Sequence, residues 1–326
     1  MKNTFKVINN YNKFNEEGYV KIQNIIQAED IKKLKDYFYL QFGQNVKNSL
    51  YGMFVSLDEK DRLKSKKAME LIQEIITPKL ENHLQNYKIH LGSYLVKTPN
   101  PYSFTYPHQD WLFVDNNNKE DFSCTIWISL EDIDKDSGTL GFIKGSHIFL
   151  DNIVGSPSPE IKTATMGHEQ LLLSYMKVED VNAGDALLFN NKTIHAAFPN
   201  ISKKDRIAVG IGITPIDSEI YHYFLKPKTK NKILKLKVSE MFFRTYNNDS
   251  LRTLYRKNRV PNFAEIKEEI EYNPTIVSSI ELEEMLIKNG NKKNNYDTSM
   301  LFKQFENLGF LEKIKLGLKY YFNISL

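Results

Sequence analysis

Between Leu91 and about residue 215 the sequence breaks into short apolar runs, LGSYLVK, FSCTIWISL, TLGFIKGS, DALLFNN and RIAVGIGIT, with turn-forming residues between them. Runs of this length, rich in β-branched and aromatic residues and bounded by turn signals, suit strands. The stretch FSCTIWISL shows how such a strand chooses its faces. Successive side chains point to opposite sides, so Phe122, Cys124, Ile126, Ile128 and Leu130 share one face, and Ser123, Thr125, Trp127 and Ser129 share the other. The wholly apolar face is expected to pack against an outer layer, which leaves Thr125 and Trp127 in the lumen of a barrel. Upstream, residues 28–47 and 61–87 place apolar residues at three- and four-residue spacing with charges between, the pattern of amphipathic helices. The predicted class is mainly β with flanking helices.

Two segments at the ends of these runs carry the chemistry. TYPHQDW holds His108 and Asp110, and FNNKTIHAAFPNISKKDR holds His195 and Arg206. In extended chain, residues two apart face the same side, so His108 and Asp110 can converge on one ion from a strand end. His195 lies 87 residues beyond His108, far enough to arrive from a different strand on the opposite side of a barrel. Two neutral imidazoles and a carboxylate fill one face of an octahedral ion and leave three positions open, which suits non-haem Fe(II) oxygen chemistry. The apolar runs either side of Pro-Asn-Ile-Ser-Lys-Lys read as a hairpin. It would pair residue 195 with about residue 208 and set Arg206 roughly 7 Å along the same face. A guanidinium there could take the far carboxylate of a five-carbon diacid bidentately.

With these residues in place, the chain resembles the phytanoyl-CoA dioxygenase family of Fe(II)/2-oxoglutarate dioxygenases. The matching segments are FNEEGYVKIQNII, HQD, WISLEDIDKDSGTLGFIKGSH and AGDALLFNNKTIHAAFPNISKKDR, spread over roughly residues 14 to 215. The resemblance implies a double-stranded β-helix (jelly-roll, cupin-like) core. It implies Fe(II) on His108, Asp110 and His195, with 2-oxoglutarate and O2 as cosubstrates. Arg206 would pair with the far carboxylate, and Trp127 and Gln109 would lie beside the cosubstrate, with Thr125 counted in the same binding set. The implied activity is oxidation, most simply hydroxylation, of a small-molecule, acyl or amino-acid-type metabolite, with 2-oxoglutarate converted to succinate. Asp110 favours hydroxylation over halogenation, because halogenating relatives carry a small residue at that position. The chain departs from the family pattern at Lys144-Gly145-Ser146-His147, at Ser137-Gly138 and at Ala197, where a hydroxyl-bearing residue is usual. Two other classes fit fewer of these residues: a cupin-type metalloenzyme without O2 chemistry, against which Arg206 argues, and a non-catalytic binding protein, against which the intact triad argues.

The rest of the sequence agrees with an enzyme built around one core. Hydrophobic content of 41% is ample for burial, and a net charge of +4 from scattered lysines gives no case for nucleic acid. The lone cysteine, Cys124, excludes an intramolecular disulfide and reads as a small buried hydrophobe. No stretch approaches 18 uninterrupted apolar residues and the first residues lack an apolar run, so a cytoplasmic protein without an integral membrane segment is expected. Residues 1–216 read as the catalytic core with its N-terminal helices, and 217–326 as a mainly helical extension packed on it. Trp111, Phe113 and the long segment 154–181 are expected as substrate-pocket walls or a lid. Gly184-Asp185 reads as a tight turn and His147 as a turn residue. KNGNKKNN near residue 290 reads as an exposed loop or linker. The basic cluster Arg244, Arg252, Arg256, Lys257 and Arg259 reads as a solvated helix face in preference to a phosphate-binding site. The final stretch, MLFKQFENLGFLEKIKLGLKYYFNISL, reads as packing on the barrel or on a second copy in a homodimer, in preference to peripheral membrane contact.

Overall fold

The computed structural model describes residues 4–47, 52–118, 120–229, 231–274 and 276–296. In chain order the elements are α1 (Ile8–Glu17), β1 (Tyr19–Ile22), α2 (Ala28–Lys47), β2 (Met53–Val55), α3 (Arg62–Leu80), β3 (Tyr87–Lys97) and β4 (Thr105–His108). Next come β5 (Cys124–Ser129), β6 (Leu140–Phe142), α4 (Ser146–Phe149), α5 (Glu169–Tyr175), β7 (Lys177–Val178), β8 (Ala186–Asn190), β9 (His195–Ala197) and β10 (Arg206–Pro215). The last are β11 (Tyr221–Leu225), β12 (Lys232–Val238), α6 (Glu240–Thr245), α7 (Asn248–Arg256), β13 (Ala264–Glu271) and α8 (Ser279–Lys288). The final stretch from residue 300 lies outside the described residues.

From β3 to β10 the chain passes back and forth between two antiparallel sheets, with β6 and β7 both in the smaller one. The larger runs β1-β8-β5-β10-β3-β2 and the smaller β4-β9-β6-β7. This interleaving is the double-stranded β-helix, and it closes the sheets over a common lumen. The outer face of the larger sheet carries the apolar residues its alternation predicted: Phe122, Cys124, Ile126, Ile128 and Leu130 pack with Leu34, Phe38 and Phe42 of α2 and Ala68, Ile72 and Ile76 of α3. Trp127, Leu187, Phe189 and Ala208 of the same sheet face inward and meet Phe142 and Ala197 of the smaller one. Helix α3 begins where Asp61 accepts from the Leu63 and Lys64 amides and stops at Leu80, earlier than the pattern to residue 87 suggested. From Tyr87 the chain is already in β3, because that edge pairs with β10.

Two glycines make close approaches possible. Gly18 joins α1 to β1 with φ of 85°, and a Cβ there would stand 2.4 Å from Thr193 Oγ1, two residues before His195. Gly184 turns into β8 with φ of 91°, and its Cβ would meet the Ile26 carbonyl at 2.4 Å. The Asp185 amide donates to Asn182 across that turn, as Gly184-Asp185 suggested.

Three expectations need correction. First, His195 and Arg206 do not share a hairpin: β9 pairs with β4 and β6, whereas β10 pairs with β3 and β5. His195 is consequently a neighbour of His108 within one sheet, not its opposite across the barrel. The connection crosses between the sheets because Asn200, fully buried, donates to the Lys97 and Lys204 carbonyls while its amide donates to Ser103 Oγ. Second, among the described residues the region after residue 216 is mixed and not mainly helical. It contains the antiparallel sheet β11-β12-β13 alongside short helices, tied to the barrel by Tyr221 amide to Phe113 carbonyl and by reciprocal bonds of Ser156 with Tyr223 and Leu225. The strand segments IYHYFLK and KILKLKV lie beyond the matched segments. Third, KNGNKKNN is exposed at most of its positions, as expected of a loop, but it is a tethered strap and not a free linker. Buried Asn291 accepts from the Lys144 amide and donates to the Lys144 and Leu286 carbonyls, and Asn294 donates to Leu173 and Met176.

Removing that anchor leaves the part-buried Lys144 amide and carbonyl without these partners. Asn291→Ala is expected to cost about 1–3 kcal/mol in urea unfolding. A change below about 0.5 kcal/mol, the ordinary range for surface substitutions, would show that the strap contributes nothing.

Candidate metal centre

The site starts from the register of the smaller sheet. His108, the last residue of β4, stands opposite His195, the first of β9, with ring centroids 4.3 Å apart. Beyond β4 the chain leaves the sheet, and the Asp110 amide donates to the Asn191 carbonyl at 2.8 Å. Gln109 Nε2 donates to the Leu150 and Lys192 carbonyls, and Asn191 Nδ2 to the Trp111 carbonyl. The HQDW segment is thus held against the turn that leads into β9. As a result His108 Nε2 and His195 Nε2 lie 3.6 and 3.8 Å from Asp110 Oδ1. One donor atom from each of the three residues falls within 4.8 Å of the others, close enough to share one metal ion.

The outer contacts aim these donors. His108 Nδ1 donates to the Tyr106 carbonyl at 2.8 Å and His195 Nδ1 to the Thr193 carbonyl at 3.0 Å. A carbonyl only accepts, so each Nδ1 carries the hydrogen and each Nε2 lone pair is turned to the shared point. Asp110 Oδ2 accepts from Thr125 Oγ1 at 2.9 Å, which leaves Oδ1 for the ion. Such support fixes tautomer and ring orientation in metal sites. Burial and the neighbouring His108 lower the His195 pKa to about 4. Burial opposes ionisation of Asp110, yet the two imidazoles and the Thr125 hydroxyl outweigh it and hold the carboxyl at about 2. For His108 burial works downward, but the bond to Asp110 and its charge win, and the pKa lies above the ordinary value. The donor set fits a divalent ion of the Fe(II) type, which takes neutral imidazoles and an ionised carboxylate.

Arg206 opens β10 inside the same cavity and is 4% exposed. One Nη donates to the Leu95 carbonyl, the guanidinium stacks 5.4 Å over the Trp127 ring, and Nε has no partner among the described residues. No carboxylate there pairs with it, and burial lowers its pKa to about 9. A buried guanidinium without a counter-charge is costly, and an anionic ligand would relieve it. The cavity, of about 650 Å³, brings together His108, Asp110, His195, Gln109, Thr125, Trp127, Arg206, Trp111 and Phe113. All the site residues expected from sequence therefore gather in one space.

The sequence reading missed three features. Lys97 lies buried beside Arg206, legible only as the last lumen-facing position of the Leu91, Ser93, Leu95 series. Asn191 accepts from Thr125 and donates to Trp111, with an unremarkable Asn-Asn pair as its signal. Phe243 and Tyr246, from the extension, complete the cavity wall, as do Val154, Ile161 and Met166 from the expected 154–181 segment. His147 is a structural neighbour of Asn15. Of the basic cluster, Arg256, Lys257 and Arg259 are exposed, as a solvated helix face requires, whereas Arg244 and Arg252 are drawn inward. Arg252 is buried, it and Arg256 share Glu160, and Arg244 pairs with Glu240 and Glu70.

The family model described as Phytanoyl-CoA dioxygenase (PhyH) matches residues 14–208. Phytanoyl-CoA dioxygenase 1 of Oryza sativa subsp. japonica is 30% identical over 137 residues, which span 39% of this chain and 43% of that protein's length. Among solved structures, the non-heme alpha ketoglutarate dependent carbocyclase SnoK from nogalamycin biosynthesis superposes with a TM-score of 0.47 at 17% identity. That match covers 66% of this chain and 86% of the other. HygX from Streptomyces hygroscopicus, with nickel and 2-oxoglutarate bound, superposes with a TM-score of 0.43 at 15% identity, covering 65% and 88%.

Protons compete with a metal for the imidazole lone pairs. His195 and Asp110 are already deprotonated above pH 5, so His108, with its raised pKa, is the one ligand that still releases a proton near neutrality. Zn(II) affinity is expected to rise from pH 6 to 8 with release of about one proton, measured calorimetrically in buffers of different ionisation enthalpy. Thr125→Val should weaken that affinity about 10–100-fold. A pH-independent affinity, or an unchanged Thr125→Val variant, would contradict this assignment of roles.

Proposed function

Because the chain belongs to the phytanoyl-CoA dioxygenase family, we propose that it is an Fe(II)/2-oxoglutarate-dependent oxygenase acting on a small molecule. The observation that carries this reading is the juxtaposition of the three-donor cluster with a buried arginine that has no acidic partner among the described residues. His108, Asp110 and His195 hold the ion, and Arg206 holds the far carboxylate of 2-oxoglutarate. When bound, Fe(II) supplies the activation of O2 that couples decarboxylation of 2-oxoglutarate, to succinate and carbon dioxide, to insertion of one oxygen atom into a substrate C–H bond.

The chain's own residues bind, orient and exclude water. Thr125 keeps Asp110 presenting one oxygen, and the Tyr106 and Thr193 carbonyls keep both imidazoles in one tautomer. Trp127 covers the guanidinium face, and Gln109 ties the ligand segment to the turn before His195. Trp111 and Phe113 form the substrate wall. Phe113 is braced edge-on by Phe243 at 5.2 Å, and Trp111 by His222 at 4.8 Å. Residues 1–216 form the catalytic unit, with the extension contributing Phe243 and Tyr246 to the cavity. The substrate carries an acyl, alkyl or aromatic body suited to those walls, and hydroxylation is the outcome favoured by Asp110. Among the described residues no helix is long and apolar enough to cross a membrane, in keeping with a cytoplasmic enzyme.

Incubation with Fe(II), 2-oxoglutarate, O2 and a metabolite extract is expected to yield succinate together with a product heavier by one oxygen. His195→Ala should lower succinate formation by more than the ~100-fold that loss of an outer-shell partner costs. Equal rates for the two proteins, or no succinate from either, would overturn the reading.

A further inference from the structure

Lys97 closes β3 on the lumen side, directly across from Arg206 in the β10 register, and both side chains line the metal cavity. It is 1% exposed. Its Nζ donates to the Ala197 carbonyl at 2.8 Å and the Phe198 carbonyl at 2.6 Å. An ammonium has three donors, so one remains beyond these two bonds. No carboxylate among the described residues pairs with either Lys97 or Arg206, so two like charges sit side by side in a buried space. Burial and Arg206 together push the Lys97 pKa well below its ordinary value, and a nearby anion would restore it. Buried charges are retained when they are paired, and a carboxylate has two oxygens with which to bridge two donors. Ala197 carries only a methyl side chain, so no hydroxyl from that position competes for the ligand. The Gly138 turn packs on the lysine stem, where a Cβ would come within 3.2 Å of Cδ.

We propose that Lys97 is a cosubstrate-binding residue that shares the far carboxylate of 2-oxoglutarate with Arg206, so that this chain anchors it by two cations. The proposal rests on the reading of the site as an Fe(II)/2-oxoglutarate centre. Its consequence is selectivity: the two cations favour a 2-oxo diacid strongly over a 2-oxo acid that has the same chelating end and no second carboxylate. A lysine that merely ties β3 to the carbonyls of residues 197 and 198 would give no such discrimination.

The test is anaerobic titration of the full-length Fe(II) protein with 2-oxoglutarate and with 2-oxobutanoate, read as binding from the visible charge-transfer band. Lys97→Met is expected to weaken 2-oxoglutarate at least 10-fold and 2-oxobutanoate less than 2-fold, with Arg206→Met showing the same selective pattern. Lys97→Arg, which keeps the charge, should restore most of the 2-oxoglutarate affinity. Equal loss for both ligands, or no loss for either, overturns the proposal. If Lys97→Met does not fold, the Nζ resonance of Lys97 in ¹⁵N-lysine-labelled Zn(II) protein, assigned by its disappearance in Lys97→Arg, decides the matter. It should move with 2-oxoglutarate and stay fixed with 2-oxobutanoate; no movement overturns the proposal. Failure of the unaltered protein to bind 2-oxoglutarate at all would instead bring down the underlying function, which separates the two outcomes.

Discussion

The antiparallel pairing of β4 with β9 is the constraint on which the site depends. It sets His108 against His195 before any metal contact is considered, and a one-residue slip of either strand would turn its imidazole to the face away from the other. The remaining contacts refine that register. The turn at Asn190–Lys192 holds HQDW through backbone and amide bonds, and the outer carbonyls and Thr125 aim the three donors. This arrangement places precision on strands and on buried hydrogen bonds, where thermal motion costs least geometry.

Legibility in the sequence followed the range of the interaction. The faces of β5 were readable because a period of two is local: Cys124, Ile126 and Ile128 went outward and Thr125 and Trp127 inward. The four chemical residues were readable from residue type and order. The hairpin between His195 and Arg206 was misread, because the polar turn that suggests a hairpin also serves a crossing between sheets. Asn200 makes the difference by bonding to Lys97, a residue far away in sequence. Lys97 escaped notice for the same reason. A lysine ending an apolar strand ordinarily reaches water, and only the closure of β9 over it makes it a buried cation.

The extension illustrates how a matched core acquires a particular cavity. The β11-β12-β13 sheet bonds to Phe113 and to Ser156, and buried Lys235 pairs with Asp115 at 2.7 Å, so the loop following the ligand segment is clamped from outside the barrel. Phe243 then reaches back to brace Phe113. The three-donor cluster belongs to the barrel, whereas the cavity wall is built jointly by the barrel and by residues beyond the family match. Arg252 and Arg256 of that region share Glu160 and Arg244 pairs with Glu240, so these side chains stabilise the wall.

The most direct test of the account is a crystal structure of the protein grown anaerobically with Fe(II) and 2-oxoglutarate, with the iron located by its anomalous scattering. The expected result is a single iron bound by His108 Nε2, Asp110 Oδ1 and His195 Nε2, with the far carboxylate of the diacid on Arg206. Iron at any other set of side chains, or a diacid whose far carboxylate lies away from Arg206, would contradict it.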